Sequence, residues 1–372
     1  MKLRKIAFYD KFKCLAGDCN RTCCHGWIIP LSGEDLERYA GQSGILKLKL
    51  LARISSRGLY CFNRGSRTCP FLNKDSLCSL QLEKGHDFIP EACRMFPRFF
   101  RNYGPFEERS LDLACIGASS LFLKEYKNLH YEDFEGEPLS APCTTNDDIT
   151  MLGNLIKARD GFVNMLNNVT TFDGLNRALG AVTAHSRTLQ DSLLRGAADF
   201  PGFNPNDTGA AGGRLIPADI SFYKKVMNTS FYNIRLKYAN PELYRLCTLF
   251  FEDREGLLAS GESLRSALSD LEKENKEAAG KLAAYYAYYL CLYYLKSYED
   301  YSFLKNASIG IIHLNMILLF TLLDTGRGEI LTDERLADII AVYNRRAYFN
   351  EDIVNEMYGA LDNEESFLRP SL

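Results

Sequence analysis

The chain has 372 residues, of which 46% are hydrophobic and 24% charged, and carries a formal net charge of −3. This composition excludes a disordered or fibrous chain and supplies a core of ordinary size, so the twelve cysteines are not needed as staples for a small fold. The small total hides an asymmetry: residues 1–125 carry a net +7 and the remainder −10. No nucleic-acid-binding motif accompanies the positive half, so nucleic acid is not an expected partner.

In chain order, MKLRKIAFYDKFK is charged and has no apolar h-region. It does not read as a signal peptide, and a cytoplasmic, reducing setting is expected. There a cysteine cluster more often binds metal or does redox chemistry than forms disulfides. Residues 1–13 read as a short strand entering KCLAGDCNRTCCHGW (Lys13–Trp27), where Cys14, Cys19, Cys23 and Cys24 fall within eleven positions. A bridge between the neighbours Cys23 and Cys24 would be strained. Spacing C-x4-C-x3-C-C suits a loop wrapped around a metal, with Gly17 and Gly26 as the expected positive-φ residues and Asp18 and Asn20 as turn formers.

Gly26–Ser32 reads as a second short strand with Pro30 at its edge. Ser32 is an N-cap, followed by Glu34 and Asp35 in a first helical turn. Residues 45–54 suit helix or strand equally. Cys69–Leu80 predicts a hairpin around Asn73–Ser76, which brings Cys69 and Cys78 towards one end of a small element. Pro90–Pro97 predicts a single helical turn carrying Cys93. Ser110–Cys115 alternates Leu111, Leu113 and Cys115 along one face of a strand.

Residues 135–148 read as a Pro/Ser/Thr-rich linker, which divides the chain into expected domains 1–135 and 149–372. Helices are predicted at about 149–168, 173–197, 217–236, 240–258, 261–276, 278–298, 303–323, 332–345 and 350–362. A Gly/Pro/Asn-rich mobile surface loop is expected at 199–217. Tyr285–Tyr301 carries eight tyrosines on all sides of one helix. Beyond packing against neighbouring helices, some are expected to line a groove or contact. Ile309–Leu323 is apolar but short for a membrane span and is expected to be the central buried helix. Cys247 and Cys291 lie in apolar helical patterns, as inert buried thiols would. The fold class is mainly α: a small N-terminal Cys-rich α+β metal-binding domain followed by a helical domain.

Ten of the twelve cysteines precede residue 144. Structural zinc sites usually show short pairs such as C-x2-C, and none occurs here. Spacing leaves zinc and iron–sulfur both open, and the cysteine number leaves room for two centres. Arg94, Arg98 and Arg101, with Phe96, Phe99 and Phe100, form a basic–aromatic patch beside Cys93 that suits a cofactor or cluster contact. No Rossmann unit is present: the nearest glycine run, Gly209–Gly213, follows no predicted strand.

Four stretches in order, FKCLAGDCNRTCCHGW (Phe12–Trp27), TCPFLNKDSLCSLQLEKG (Thr68–Gly85), EACRMFPR (Glu91–Arg98) and SLDLAC (Ser110–Cys115), resemble the flagellin lysine-N-methylase (FliB) family. That family lies within a broader group with CxxCxxCC-type zinc- or iron-chelating domains. The resemblance implies methyl transfer from S-adenosylmethionine to lysine ε-amines of flagellin or a related protein. It also implies a [4Fe–4S] cluster, with zinc as the alternative. The implied ligand pool is Cys14, Cys19, Cys23, Cys24, Cys69, Cys78, Cys93 and Cys115; Cys61 and Cys143 fall outside the matching stretches. A lysine must be neutral to attack a methyl sulfonium, which makes His25, His86 and Asp87 the candidate catalytic residues. Arg94 and Arg98 are the candidate cofactor-binding residues. Two other readings stand beside this one: a non-enzymatic zinc- or iron-binding protein with a helical partner-binding domain, and a cysteine redox enzyme or sensor.

Overall fold

The first strand, β1 (Lys2–Ile6), buries Leu3 and Ile6 on alternate sides of exposed or half-buried cations. In this computed structural model, which describes residues 1–25, 28–55, 60–62, 68–144, 146–196, 201–203, 220–228, 231–232, 236–253, 256–326, 330–348 and 351–363, β1 is an inner strand of a four-stranded sheet. The strand order is β4 (Arg98–Asn102), β5 (Phe106–Leu111), β1, β6 (Tyr131–Phe134). β1 runs parallel to β5 and antiparallel to β6, while β4 and β5 form an antiparallel pair. Residues 7–97 are therefore an excursion between two parts of one sheet, and this excursion carries seven of the eight implied ligand cysteines.

The excursion has its own small core. Ile29, Leu31, Tyr39, Leu50, Phe62, Phe71, Leu80 and Ile89 are buried together. β2 (Ile29–Pro30) pairs with β3 (Cys61–Phe62), and the helices are α1 (Gly33–Ala40), α2 (Gly44–Leu51), α3 (Ser79–Lys84) and α4 (Glu91–Met95). Ser32 caps α1 as expected, in a full capping box with Asp35. The ambiguous 45–54 stretch is helical over Gly44–Leu51. The expected hairpin is reduced to a single bridge, Leu72 with Cys78, because α3 starts at the next residue. Asn73 holds its turn by accepting from the Asp75 and Leu77 amides, both at 2.9 Å.

The expected strand over Ser110–Cys115 ends at Leu111. Asp112 turns the chain by accepting from the Ala114 amide at 2.7 Å, and Cys115 becomes the N-cap residue of α5 (Ile116–Glu125). Local side-chain-to-backbone bonding thus overrides the alternating pattern.

After 135–148, which holds no helix or strand among the described residues, come α6 (Ile149–Asn167), α7 (Phe172–Leu194), α8 (Ser221–Asn228), α9 (Leu236–Ala239), α10 (Pro241–Glu252), α11 (Gly261–Glu274), α12 (Ala278–Tyr293), α13 (Ser297–Asp300), α14 (Phe303–Thr325), α15 (Asp333–Ala347) and α16 (Glu351–Asn363). The protein is mainly α, with a strand-bearing, cysteine-rich N-terminal part. Most of the predicted loop at 199–217, including Gly209–Gly213, lies outside the described residues, as do Gly26 and Trp27.

One large core runs from Ile6 to Leu361 and joins the sheet and α5 to the helices. α14 is long and apolar enough to cross a membrane, yet its apolar window is wholly buried. Within it His313 Nδ1 lies 2.8 Å from the Tyr343 hydroxyl, and burial lowers the imidazole to about 3. The tyrosine segment packs against its neighbours: Tyr285, Tyr286, Tyr288, Tyr289, Tyr294 and Tyr298 are all buried. Neighbouring elements surround that segment, and several hydroxyls have built-in acceptors, such as Asn344 Oδ1 for Tyr285 (2.8 Å) and the Leu111 carbonyl for Tyr288 (2.6 Å). Tyr289 and Tyr293 do line a separate cavity of about 520 Å³ with Arg101, His313, Tyr348 and Tyr358. Gly310 of α14 allows the close approach to α12, since a Cβ there would come within 2.3–2.7 Å of the Tyr289 and Tyr286 rings.

The sheet is tied to α6 by a buried ion pair. Glu108 accepts from Arg159 Nη1 at 2.6 Å and Nη2 at 2.8 Å, with Arg4 at 3.1 Å. Removing one partner of such a pair strands the other charge out of water. Arg159→Met is expected to lower unfolding free energy by about 3 kcal/mol in urea denaturation; a loss below about 1 kcal/mol would contradict this account of the pair.

Candidate functional site

The cysteine loop is shaped by short turns. Ala16–Asp18 is a 3-10 turn, and the left-handed residue is Ala16 (φ 49°), where Gly17 had been the expected position. The Cys14 thiol accepts from the Ala16 amide at 3.4 Å. The loop meets the hairpin where the Cys69 amide donates to the Cys24 carbonyl at 2.7 Å. α1 positions the segment that leads into α4: Asp35 accepts from the Glu91 amide at 3.1 Å, and the Tyr39 hydroxyl donates to the Phe88 carbonyl at 3.2 Å. Cys93 is carried on α4, two residues further on.

All eight cysteines of the implied pool line one cavity of about 330 Å³. They come from four pieces of chain: the loop, the hairpin, α4 and the start of α5. All twelve cysteines in the protein are free thiols. Cys61 is buried on β3 and Cys143 is exposed with its thiol 3.2 Å from Glu299; neither lines the cavity. Cys247 and Cys291 are buried in helices, as expected.

The Cys24 thiol is pulled down by hydrogen bonds from Cys23 and Cys69, and those two donors are pushed up by the same bonds and by burial. Burial raises Cys19, Cys78 and Cys93, and pushes Cys115 up to about 11 against amide hydrogen bonds at the start of α5. Cys24 apart, the walls therefore favour neutral thiols, and a metal that takes them as thiolates must displace their protons. An all-sulfur donor set suits iron–sulfur centres and zinc. No three His, Cys, Asp or Glu side chains among the described residues stand close enough to share a single ion. The thiols ring a space; they do not close on a point.

Arg94 and Arg98 also line this cavity. Arg98 lies over the rings of Phe12 (5.8 Å) and Tyr9 (6.0 Å), and Arg94 Nε is buried without a hydrogen-bond partner. Neither guanidinium is paired with a carboxylate among the described residues. His86 reaches the cavity wall and is exposed. Its neighbour Asp87 is fully exposed, 3.8 Å away, and does not line the cavity. His25 is held elsewhere, bridged to Thr68 with Nδ1 2.9 Å from the threonine hydroxyl. His86 and Asp87 are thus neighbours at the rim, while His25 does not line the cavity.

Sequence reasoning missed the helical half's share of the site. α15 packs along α5 and reaches the cysteine loop. Arg345 lines the cavity and donates to the carbonyls of Arg21 (2.9 Å), Thr22 (3.1 Å) and Ala114 (3.2 Å). Asp338 takes Arg21 in a two-point pair at 2.6 and 2.7 Å. Arg335 extends this network to Asp324 and Glu242. No local pattern gives this contact away, because Arg345 sits in the basic last turn of an amphipathic helix as many surface arginines do.

This geometry defines a class: a helical protein with a thiol-lined cavity at the junction of a cysteine-rich lobe and a helical body. No protein-family model matches the chain, and no solved structure matches it. It is 30% identical over 129 residues to the flagellar biosynthetic protein FliU of Salmonella muenchen, a match covering 32% of this chain and 75% of that protein. It is also 30% identical over 129 residues to lysine-N-methylases of Salmonella typhimurium and Salmonella choleraesuis, with 32% of each of those proteins spanned. The chain belongs to the family of the flagellar biosynthetic protein FliU.

Two outcomes follow from the walls of the site. Hydrogen bonds from a charged donor contribute about 1.5–3 kcal/mol each. Arg345→Ala should therefore free the loop, so that Cys19 and Cys23 of the metal-free protein alkylate at least about tenfold faster by mass spectrometry; unchanged rates would contradict the clamp.

Asp112 is buried, and burial pushes its carboxyl up to about 6 despite the Ala114 amide. The unfolded chain loses this proton near pH 4, so between about pH 4 and 6 the folded state holds a proton the unfolded state has shed. Stability from this group is present at low pH and is lost as pH rises through that window. Asp112→Asn keeps the acceptor and removes the charge. Its stability relative to wild type should improve by on the order of 3 kcal/mol between pH 4 and pH 7.5 in denaturant titrations; a pH-independent difference would contradict the burial argument.

Proposed function

We propose that this protein is a protein-lysine N-methyltransferase, using S-adenosylmethionine and acting on flagellin or a related protein. In this reading the cavity cysteines hold a [4Fe–4S] cluster. The observation that carries it is the convergence of eight free thiols from four pieces of chain on one cavity, in a chain whose relatives include proteins named lysine-N-methylase.

When bound, a cluster with one iron not ligated by cysteine would supply a site for the amino and carboxyl groups of S-adenosylmethionine. The chain's own residues do the rest. Arg94 and Arg98 face the cavity as guanidinium groups without carboxylate partners among the described residues, and they hold an anionic group there. Phe12, Leu15, Phe71, Leu77 and Phe96 line the same space and exclude water from it. His86, at the wall and open to solvent, accepts the proton that the incoming lysine must lose. The lysine Nζ lone pair then forms a bond to the methyl carbon as the carbon–sulfur bond breaks, and sulfur leaves with that electron pair as a neutral thioether. Asp87, exposed beside His86, attracts the cationic lysine to the rim.

The test uses full-length protein purified without oxygen, incubated with S-adenosylmethionine and flagellin. Mass spectrometry should show methylated flagellin lysines, and Arg94→Ala with Arg98→Ala should raise the KM for S-adenosylmethionine by about tenfold or more, as loss of a charged hydrogen bond implies. Iron-loaded protein that methylates no lysine would overturn this function. Colourless protein with stoichiometric zinc and no transfer would favour the metal-binding alternative.

A further inference from the structure

We propose that the second cavity, walled by residues of β4, α12, α14 and α16, is a separate small-molecule site that takes a planar aromatic compound carrying one anionic group, phosphate or carboxylate. It is independent of the methyl-transfer reading, because no described residue lines both this cavity and the thiol-lined one. β4 serves both: Arg98 lines the first and Arg101 the second. At about 520 Å³ the space falls within the range of about 300–1,000 Å³ usual for small-molecule sites.

Its polar wall offers donors and no carboxylate. Arg101 and Lys296 are the charged groups among the described lining residues. Arg101 gives Nη2 to Glu299 at 2.9 Å, while its buried Nε meets no partner. Lys296 Nζ lies 3.7 Å from Asp300 and 3.4 Å from the Tyr358 hydroxyl. Glu299 and Asp300 stand outside the lining, so they hold the two cations in place without using all their donors. Tyr289 and Tyr293 add hydroxyls that have no hydrogen-bond partner among the described residues, and burial keeps both phenols protonated. Tyr289 is only 5% exposed, and a hydroxyl that deep ordinarily meets an acceptor. One anion supplies an acceptor to the phenols and a counter-charge to the cations. An ammonium group would meet Arg101 and Lys296 as like charges, so these rings are not a cage for a cation.

The rest of the wall is aromatic. The Tyr289 and Tyr293 ring centroids are 5.1 Å apart, Tyr348 lies 5.2 Å from Tyr293, and His313 lies 4.7 Å from Tyr348. His313 is held neutral by burial and adds a ring without a charge. Tyr358 of α16 carries Lys296 over its ring at 5.0 Å and is fixed by donating to Asn306 at 2.5 Å. Joined rings of this kind present faces and edges against which a planar group packs. A ligand with both a ring and an anion uses both parts of the wall.

The test is isothermal titration of the full-length protein, with no S-adenosylmethionine or flagellin present, so methyl transfer stands or falls separately. The probes are adenosine 5′-monophosphate and 4-hydroxybenzoate, whose arms separate a phosphate-bearing from a carboxylate-bearing ligand. At least one should bind once per chain, and adenosine, phenol and inorganic phosphate should each bind about tenfold or more weakly than it, as loss of a charged hydrogen bond or of the ring implies. Lys296→Gln should weaken the binding about tenfold or more. Asn355→Trp should block it, since Asn355 lines the cavity and is exposed. Arg94→Ala with Arg98→Ala, in the other cavity, should leave it within about twofold, and circular dichroism should show every variant folded. Binding of neither probe would overturn the site. So would binding that both Lys296→Gln and Asn355→Trp leave unchanged, or that the Arg94/Arg98 variant alone abolishes. Inorganic phosphate binding as tightly as the better probe would overturn the requirement for a ring.

Discussion

The site depends on one clamp that joins residues more than 300 positions apart. Arg345, near the end of α15, donates to three backbone carbonyls, two in the cysteine loop and one just before Cys115. Asp338, two turns earlier on the same helix, takes Arg21 at two points. The cysteine loop has little regular structure of its own, so its shape is borrowed from a helix of the main body. Backbone carbonyls at the loop are satisfied by a guanidinium that burial would otherwise disfavour. The exchange satisfies both partners and fixes the loop against α5.

That arrangement explains why a thiol-lined cavity sits within a long chain. The small core built around Tyr39, Phe62 and Phe71 orders the hairpin and α4. The large core orders α5 and α15. The cavity lies where the two meet, and each core contributes thiols to it. Neither lobe alone presents the full wall.

Much of this was legible from local patterns. Ser32 with Asp35, Pro90 before α4 and the apolar periods of α6, α7 and α14 each act within a few residues, so the sequence states them directly. Density marked the N-terminal cysteines as a group, and the family resemblance, through its matching stretches, implied the eight that line the cavity. What escaped was non-local. Asp112 ended a strand that alternation had extended to Cys115, by a bond that no period reveals. The partners of the α12 tyrosines also escaped: several hydroxyls bond to groups supplied by other elements, as Tyr285, Tyr286 and Tyr288 do. The pairing of Arg21 and Arg345 with their targets spans more than 300 residues and leaves no local trace.

The central claim, that these thiols converge on inorganic iron in solution, is tested most directly by iron K-edge X-ray absorption on the full-length protein isolated without oxygen. The account predicts a first shell made mainly of sulfur and an iron–iron distance characteristic of a cluster. Iron bound only through nitrogen and oxygen, or protein whose cavity cysteines are found as disulfides and bind no iron, would contradict it.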